Sequence, residues 1–181
     1  MKLYHTGSVE IPHPDIRRGR ANADFGPGFY LTPDADFTYR WAGRDAVVNE
    51  YTLDLTGLRV HRFGRDAAWF DYIFQNRRAR DTVDADVIIG PIANDTIFET
   101  FGIISSGLLD QDDALALLQI GPEYTQVAVK TERTAAQLRW TGARRITDVQ
   151  AHRDALQAER AQYAKLFAAQ AARIMGKEKD G

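Results

Sequence analysis

Between Asp24 and Thr32 the chain reads Asp-Phe-Gly-Pro-Gly-Phe-Tyr-Leu-Thr, and few segments restrict a backbone more. Pro27 fixes its own φ, while Gly26 and Gly28 on either side open the tight turns and close approaches that a Cβ would block. Phe29-Tyr30-Leu31 then leaves the turn as a strand, which sends Phe29 and Tyr30 to opposite faces. A glycine pair of this kind lets main chain come close to a bulky planar or phosphorylated ligand. An aromatic ring beside it, Tyr30, can stack on a ring such as nicotinamide or adenine. His5, near the end of the first strand, can donate to a ribose hydroxyl or a carboxamide. Taken singly, each feature also has an ordinary structural use: Gly-x-Gly before aromatics is common in turns, and a lone His is often a satisfied core or surface residue.

The remaining punctuation gives the order of elements. Leu3-Tyr4-His5 reads as a strand ended by Thr6-Gly7-Ser8, and Ile11 to Arg20, with Pro12 and Pro14, reads as loop. Thr32-Pro33-Asp34 predicts a helix start, with the helix running through Phe37 and Trp41 to about Gly43. Val47 to Leu55 alternates as a strand, and Gly57 turns it into a second near Val60. Ala67 to Arg78 places Trp69, Phe70, Ile73, Phe74 and Arg77 at helical spacing, so Trp69, Phe70 and Phe74 read as core.

Asp86 to Pro91 is a buried strand, and Thr96-Ile97-Phe98-Glu99 has capping-box spacing that predicts a helix start. Asp110 to Ile120 is a helix with acids at its start and Gly121 at its end. Tyr124 to Lys130 is a strand, Thr131 to Leu138 a helix, and a last strand lies near Ile146. From Asp148 the sequence turns to Ala, Gln, Arg and Glu and predicts a helix of about seven turns. Leu156, Tyr163, Leu166, Phe167 and Ile174 are its apolar stripe, and residues 176–181 are expected to fray. Strands and helices without regular alternation point to α+β, with no internal repeat.

The bulk properties exclude some classes. At 181 residues, 44% hydrophobic and 27% charged, the chain suits one domain with a sizeable core. A net charge of −2 argues against wrapping nucleic acid through overall charge, though a local patch could still bind it. There is no cysteine, hence no disulfide, Cys-based metal site or Cys nucleophile. His13, His61 and His152 lack ligand spacing, so no metal site is expected. Without a signal-like start or an apolar run of membrane length, the expected setting is cytoplasmic, or export by a dedicated secretion system, with no membrane partner.

Taken jointly, the motifs resemble the ADP-ribosyltransferase superfamily. They are more closely similar to a bacterial domain-of-unknown-function family placed in it and often encoded beside toxin–antitoxin-like genes. The residues that carry the likeness are Tyr4-His5-Thr6-Gly7-Ser8, Pro14-Asp15-Ile16, Arg20, Asp24 to Thr32, Trp41-Ala42, the block Asp86 to Asp95, and Gln126 on a late strand. They cover about residues 3–140 in the right order. The resemblance implies an ADP-ribosyltransferase-like fold: a split mixed/antiparallel β core with surrounding helices, over 1–147. The long helix and frayed tail over 148–181 form a C-terminal extension.

The resemblance also implies roles. His5, Tyr30 and Gln126 form the catalytic set: Tyr30 stacks on nicotinamide, His5 holds the NAD ribose and amide, and Gln126 fixes the reacting ribose. Thr6 separates His5 from Gly7 where the family has His-Gly, so either Thr6 or Gly7, next to Ser8, supplies the groups that pair with the carboxamide. Gly26, Gly28 and Phe29 line the binding turn. Arg20 binds the pyrophosphate as a forked donor or is an exposed loop Arg. Asp24 binds a ribose, binds the Arg, or forms an Asx-turn. Asn94 and Asp95 cap the following helix or flank the site.

The superfamily's usual third residue is Glu, and its carboxylate stabilises the positive charge that develops as nicotinamide leaves. Here Gln126 takes that place, with Glu123 in reserve; opposite strand parity keeps both from facing one site. Position 124, where arginine-modifying toxins carry a second acid, is Tyr124.

The implied activity is NAD-dependent transfer of ADP-ribose to a macromolecular acceptor, protein or nucleic acid, in a possible bacterial toxin, with NAD as substrate. The alternatives are an NAD glycohydrolase, a catalytically weak NAD- or nucleotide-binding module, or an interaction module. In the last, the C-terminal helix grips an antitoxin or other partner, although helices of this kind more often pack on their own domain.

Overall fold

Among the described residues, glycine turns and short apolar runs delimit seven strands that form two sheets. The computed structural model describes residues 1–42, 45–78, 80–100, 102–103 and 109–177. One sheet is antiparallel and joins β1 (Lys2–Gly7), β3 (Val47–Leu53) and β7 (Leu138–Arg145) in the order β1-β3-β7. The other is mixed and joins β2 (Phe29–Leu31), β4 (Val60–Arg62), β5 (Val87–Pro91) and β6 (Thr125–Val129) in the order β2-β6-β5-β4. Its β4–β5 pair is parallel and needs a crossover, which α2 (Ala67–Asn76) supplies. The fold is α+β with a split β core, as the sequence implies.

Residue parity decides which face each sheet buries. Phe29, Leu31, Val87, Ile89, Val127 and Val129 of the mixed sheet pack with Leu3, Tyr51, Leu53 and Leu138 of the antiparallel sheet. The opposite face of the mixed sheet carries Ile88 and Ala128, against Trp69, Phe70 and Ile73 of α2, Leu117 and Leu118 of α4 (Gln111–Leu118), and Ile174 of the C-terminal helix. Trp69 and Phe70 are core residues, and Phe74 packs on the core partly buried. The sheets touch edge to edge at one bridge, Tyr4 with Thr32, through two main-chain bonds of 2.8 and 2.9 Å. Beside this bridge lies the large cleft described below.

Several local expectations are corrected. The helix after Thr32 is short: α1 (Ala35–Thr38) is capped by Asp34 and continues as a 3-10 turn, Tyr39–Trp41. Thr32 does not cap it, since its hydroxyl donates to the Thr125 carbonyl and accepts from the Asp34 N–H. The expected stop at Gly43 lies outside the described residues. Helix α3 (Asn94–Ile97) starts two residues before Thr96 and has no side-chain cap, so neither Asn94, Asp95 nor the Thr96–Glu99 spacing acts as one. Between Ile11 and Arg20 the loop holds a 3-10 turn, Ile16–Arg18. The last strand spans Leu138–Arg145, directly after α5 (Glu132–Gln137) and ahead of Ile146.

The C-terminal helix α6 (Val149–Lys177) packs on the domain rather than projecting from it. Tyr163 and Ile174 are buried, and Tyr163 stacks on Phe98 with ring centroids 4.0 Å apart. Leu166, expected in the apolar stripe, is instead exposed. Residues 178–181 of the expected frayed tail lie outside the described residues. Among the described residues no helix is long and apolar enough to cross a membrane.

Candidate functional site

A cleft of 1220 Å³ opens beside the Tyr4–Thr32 bridge. It is lined by β1, the loops on either side of the 3-10 turn, β2, and the α1 segment, with Arg77, Ile92, Thr96 and Gln126 closing it from the mixed sheet's side. His5, Thr6, Arg20, Asp24, Gly28, Phe29, Tyr30 and Gln126 all line it. The structure therefore brings together most of the residues that the sequence singled out. Gly7, Ser8, Gly26, Asn94, Asp95 and Glu123 are not among its lining residues.

Gln126 is nearly buried, and its environment fixes which way its amide points. Nε2 donates to Asp24 Oδ2 and to the Pro91 carbonyl, both at 3.1 Å. Both of those partners are acceptors, so the reversed amide would set oxygen against oxygen. The Gln126 carbonyl oxygen is left without a partner among the described residues, and it belongs to a side chain that lines the cleft. It can accept a hydrogen bond from a ligand hydroxyl.

Asp24 is the hub beneath it. Its Oδ1 accepts from Arg77 Nη2 at 2.9 Å and Nε at 3.3 Å, and its Oδ2 accepts from the Ala93 N–H at 3.1 Å. Arg77 also reaches Asp95 Oδ2 at 2.6 Å, Asp95 Oδ1 at 2.9 Å and the Thr96 hydroxyl at 2.7 Å. Burial works against the Arg77 charge, but the Asp95 and Asp24 carboxylates outweigh it and hold its pKa above the ordinary value. Asp24 therefore binds an arginine, but it is Arg77 and not the Arg20 expected from the sequence. Asp95 serves the same network, whereas Asn94 fastens α3 to the 120–122 turn by donating to the Ile120 carbonyl.

His5 faces the cleft from the other sheet. Its Nδ1 lies 2.7 Å from the Tyr30 carbonyl, which can only accept, so Nδ1 carries the proton and Nε2 keeps a lone pair. Burial lowers the His5 pKa, the Tyr30 contact opposing it, and so favours the neutral ring. Phe29 packs on this ring, centroids 4.4 Å apart. The Thr6 hydroxyl donates to the Thr38 carbonyl at 2.6 Å and lies 2.8 Å from the Thr38 hydroxyl, tying β1 to α1.

Tyr30 has a bracing task that strand parity does not reveal. Its hydroxyl accepts from the Phe25 N–H at 2.9 Å and donates to the Gly26 carbonyl at 2.6 Å, so the phenol braces the glycine turn. Gly26 itself (φ 72°) faces Asn76, Lys130 and Asp81, away from the cleft. Gly28 and Gly19 are in close contact: a Cβ on Gly19 would collide with the main-chain N and O of Gly28. One on Gly28 would lie 2.8 Å from the Val129 carbonyl oxygen.

Arg20 is exposed at the cleft and has no ion pair among the described residues. Glu123 is exposed and precedes β6, outside the cleft. The Tyr124 hydroxyl donates to Glu159, and burial, followed by that bond, pushes its pKa up to about 12. Among the described residues no three His, Cys, Asp or Glu side chains form a metal-ligand set.

Three contributors were missed. Arg77 was seen only as a spacing residue of α2, yet a cation on the apolar stripe of a helix needs a buried partner, and that was the available signal. Trp41 lines the cleft while half exposed. Glu10 lines it on a loop held firmly on both flanks: Asn49 accepts from the Ile11 N–H at 2.8 Å and donates to the Val9 carbonyl at 3.0 Å, and the Tyr51 hydroxyl donates to the Ile11 carbonyl at 2.8 Å. No signal in the sequence marked Glu10.

The molecule is thus a split-sheet α+β domain with a cleft lined from both sheets, Gln126 and His5 among its lining residues. Residues 1–140 match DUF3990, a family of proteins of unknown function, and the chain belongs to that family. No curated protein and no solved structure matches it.

Proposed function

We propose that the cleft binds NAD as a substrate and that the protein is an ADP-ribosyltransferase acting on a macromolecular acceptor, in the setting of a cytoplasmic or exported bacterial toxin. The observation that carries the reading is a pair of acceptors, one from each sheet, that have no partner among the described residues: Gln126 Oε1 and His5 Nε2. Ribose hydroxyls and a carboxamide N–H are the donors such a pair suits. The superfamily-like order of motifs supports the same ligand. In the reaction the bond from the ribose C1′ to the nicotinamide nitrogen breaks and nicotinamide leaves with the electron pair. An acceptor nucleophile bonds to C1′ and releases its proton. Gln126 and His5 orient the ribose, a contribution through positioning.

Charge stabilisation needs a carboxylate, and the cleft has three. Asp24 is engaged by Arg77, Ala93 and Gln126, and Asp15 by Arg17 and Arg18. Glu10 has no such partner among the described residues, so it is assigned the electrostatic role. If Glu10 does not serve, the domain is a binding module, a reading favoured by the engagement of Asp24. A glycohydrolase differs only in using water as acceptor.

The test is incubation with NAD labelled in the adenosine half, alone and with cell lysate, following nicotinamide release and label transfer. Release with transfer is expected. Release without transfer means the hydrolase, and binding without release the binding module. Absence of binding ends the proposal. In the Glu10→Gln variant, release falls by roughly 100-fold while NAD affinity holds. Growth arrest on expression that is lost in Gln126→Ala supports the toxin setting; arrest that persists in that variant removes it.

A further inference from the structure

One wall of the cleft is formed by residues 35–41, which contribute Phe37, Thr38 and Trp41. Too short to be stable alone, this segment is held from behind by α6. Arg40 places Nε at 3.0 Å and Nη2 at 2.7 Å from the same Glu159 oxygen, with both side chains largely sheltered from water. The other Glu159 oxygen accepts from the Tyr124 hydroxyl. The Tyr124 ring stacks on Phe37 with centroids 4.2 Å apart, and the Arg40 guanidinium lies over that ring at 4.8 Å. About two turns earlier on the helix, His152 stacks on Tyr39, centroids 4.2 Å apart and planes 18° apart.

The family match ends at residue 140, so the helix carrying Glu159 and His152 lies beyond the part shared with DUF3990. We infer that α6 sets the position of the cleft wall, with Glu159 as its positioning residue, so that whatever displaces the helix also opens the cleft. The inference rests on reading the cleft as a ligand site, and it gives the C-terminal helix a regulatory part in that site. Glu159 is bonded to Arg40 and Tyr124, neither of which is among the lining residues, and it acts through them.

The experiment compares the full chain with its Glu159→Gln and His152→Ala variants, and with Asp154→Asn as a control on the exposed side of the same helix. Segment-resolved amide hydrogen exchange is read first. Exchange over residues 35–42 is expected to rise about tenfold in Glu159→Gln and less in His152→Ala, with β1, β6 and the control unchanged. Equal acceleration over the whole chain, or none at 35–42, overturns the inference. If Glu159→Gln does not fold, the same reading of His152→Ala decides. NAD affinity is read second: weaker binding in the two variants, in step with exchange, supports the coupling, and unchanged binding overturns it. A wild-type chain that binds no NAD refutes the ligand and leaves the exchange result to decide the role of α6.

Discussion

Gln126 and Asp24 meet 102 positions apart in sequence, with the amide nitrogen 3.1 Å from the carboxylate Oδ2, and this bond leaves the amide oxygen free for the cleft. It follows that an acid at this position is unfavourable. Glu in place of Gln126 would set a carboxylate against Asp24 Oδ2 and the Pro91 carbonyl, which keep their bonds from the Ala93 N–H and Trp69 Nε1 but have no donor to offer the new oxygens. Gln126→Glu is expected to cost about 3 kcal/mol and to carry a carboxyl group titrating well above its usual range. Urea unfolding and a carboxyl NMR titration check both points, and a stable variant with an ordinary Glu would contradict the amide orientation.

Tyr30→Phe separates bracing from the proposed stacking. Phenylalanine keeps the ring but leaves the Phe25 N–H and the Gly26 carbonyl without the hydroxyl between them, at a cost of about 1–3 kcal/mol. Equilibrium denaturation should show that loss. Were the ring's flat face all that mattered, the variant would match the wild type.

Arg77→Met exposes Asp24 and Asp95 to each other without their shared cation, and a loss of about 3–5 kcal/mol is expected. Adding Asp24→Asn and Asp95→Asn removes the stranded charges, so the triple variant should recover much of the loss. A multiple-mutant cycle by urea unfolding measures the recovery; strict additivity would mean that the three side chains do not act together.

His5 supplies a pH dependence of definite sign. Its folded pKa lies below the ordinary 6.5, so the unfolded chain takes up the proton first as pH falls. The contribution to stability is complete above 6.5 and is lost as pH falls through the folded value. His5→Asn keeps a donor for the Tyr30 carbonyl but does not titrate. The stability advantage of wild type over this variant should therefore shrink between pH 8 and pH 5 in thermal unfolding. Ligand binding at Nε2 should fade over the same interval, and an advantage that grows on acidification would reverse the assignment.

Element type was legible where glycine and proline bounded short apolar runs, as at Phe29–Leu31 and Val87–Pro91, because period and punctuation agree there. The α3 start was not, because Thr96 was read as a local cap whereas its hydroxyl is bonded to Arg77. Residue type proposes a cap, and a stronger charged partner can claim the same atom. Tyr30, Gln126 and His5 were legible as residues facing a common site. The Tyr30 brace was hidden because it depends on the turn folding back over the ring, and strand parity says nothing of that. The partners of Arg77 lie 53 and 18 positions away on other elements, beyond any local pattern.

The contact of Gly19 with Gly28 has a consequence for how this site can diversify. Main chain meets main chain there, so the frame of the entrance depends on two positions that tolerate no side chain. Arg18, Arg20 and Asn22 beside them also line the opening. Exchanging those three would change the charge at the opening and leave the main-chain frame in place, so that surface charge and pocket architecture can vary separately.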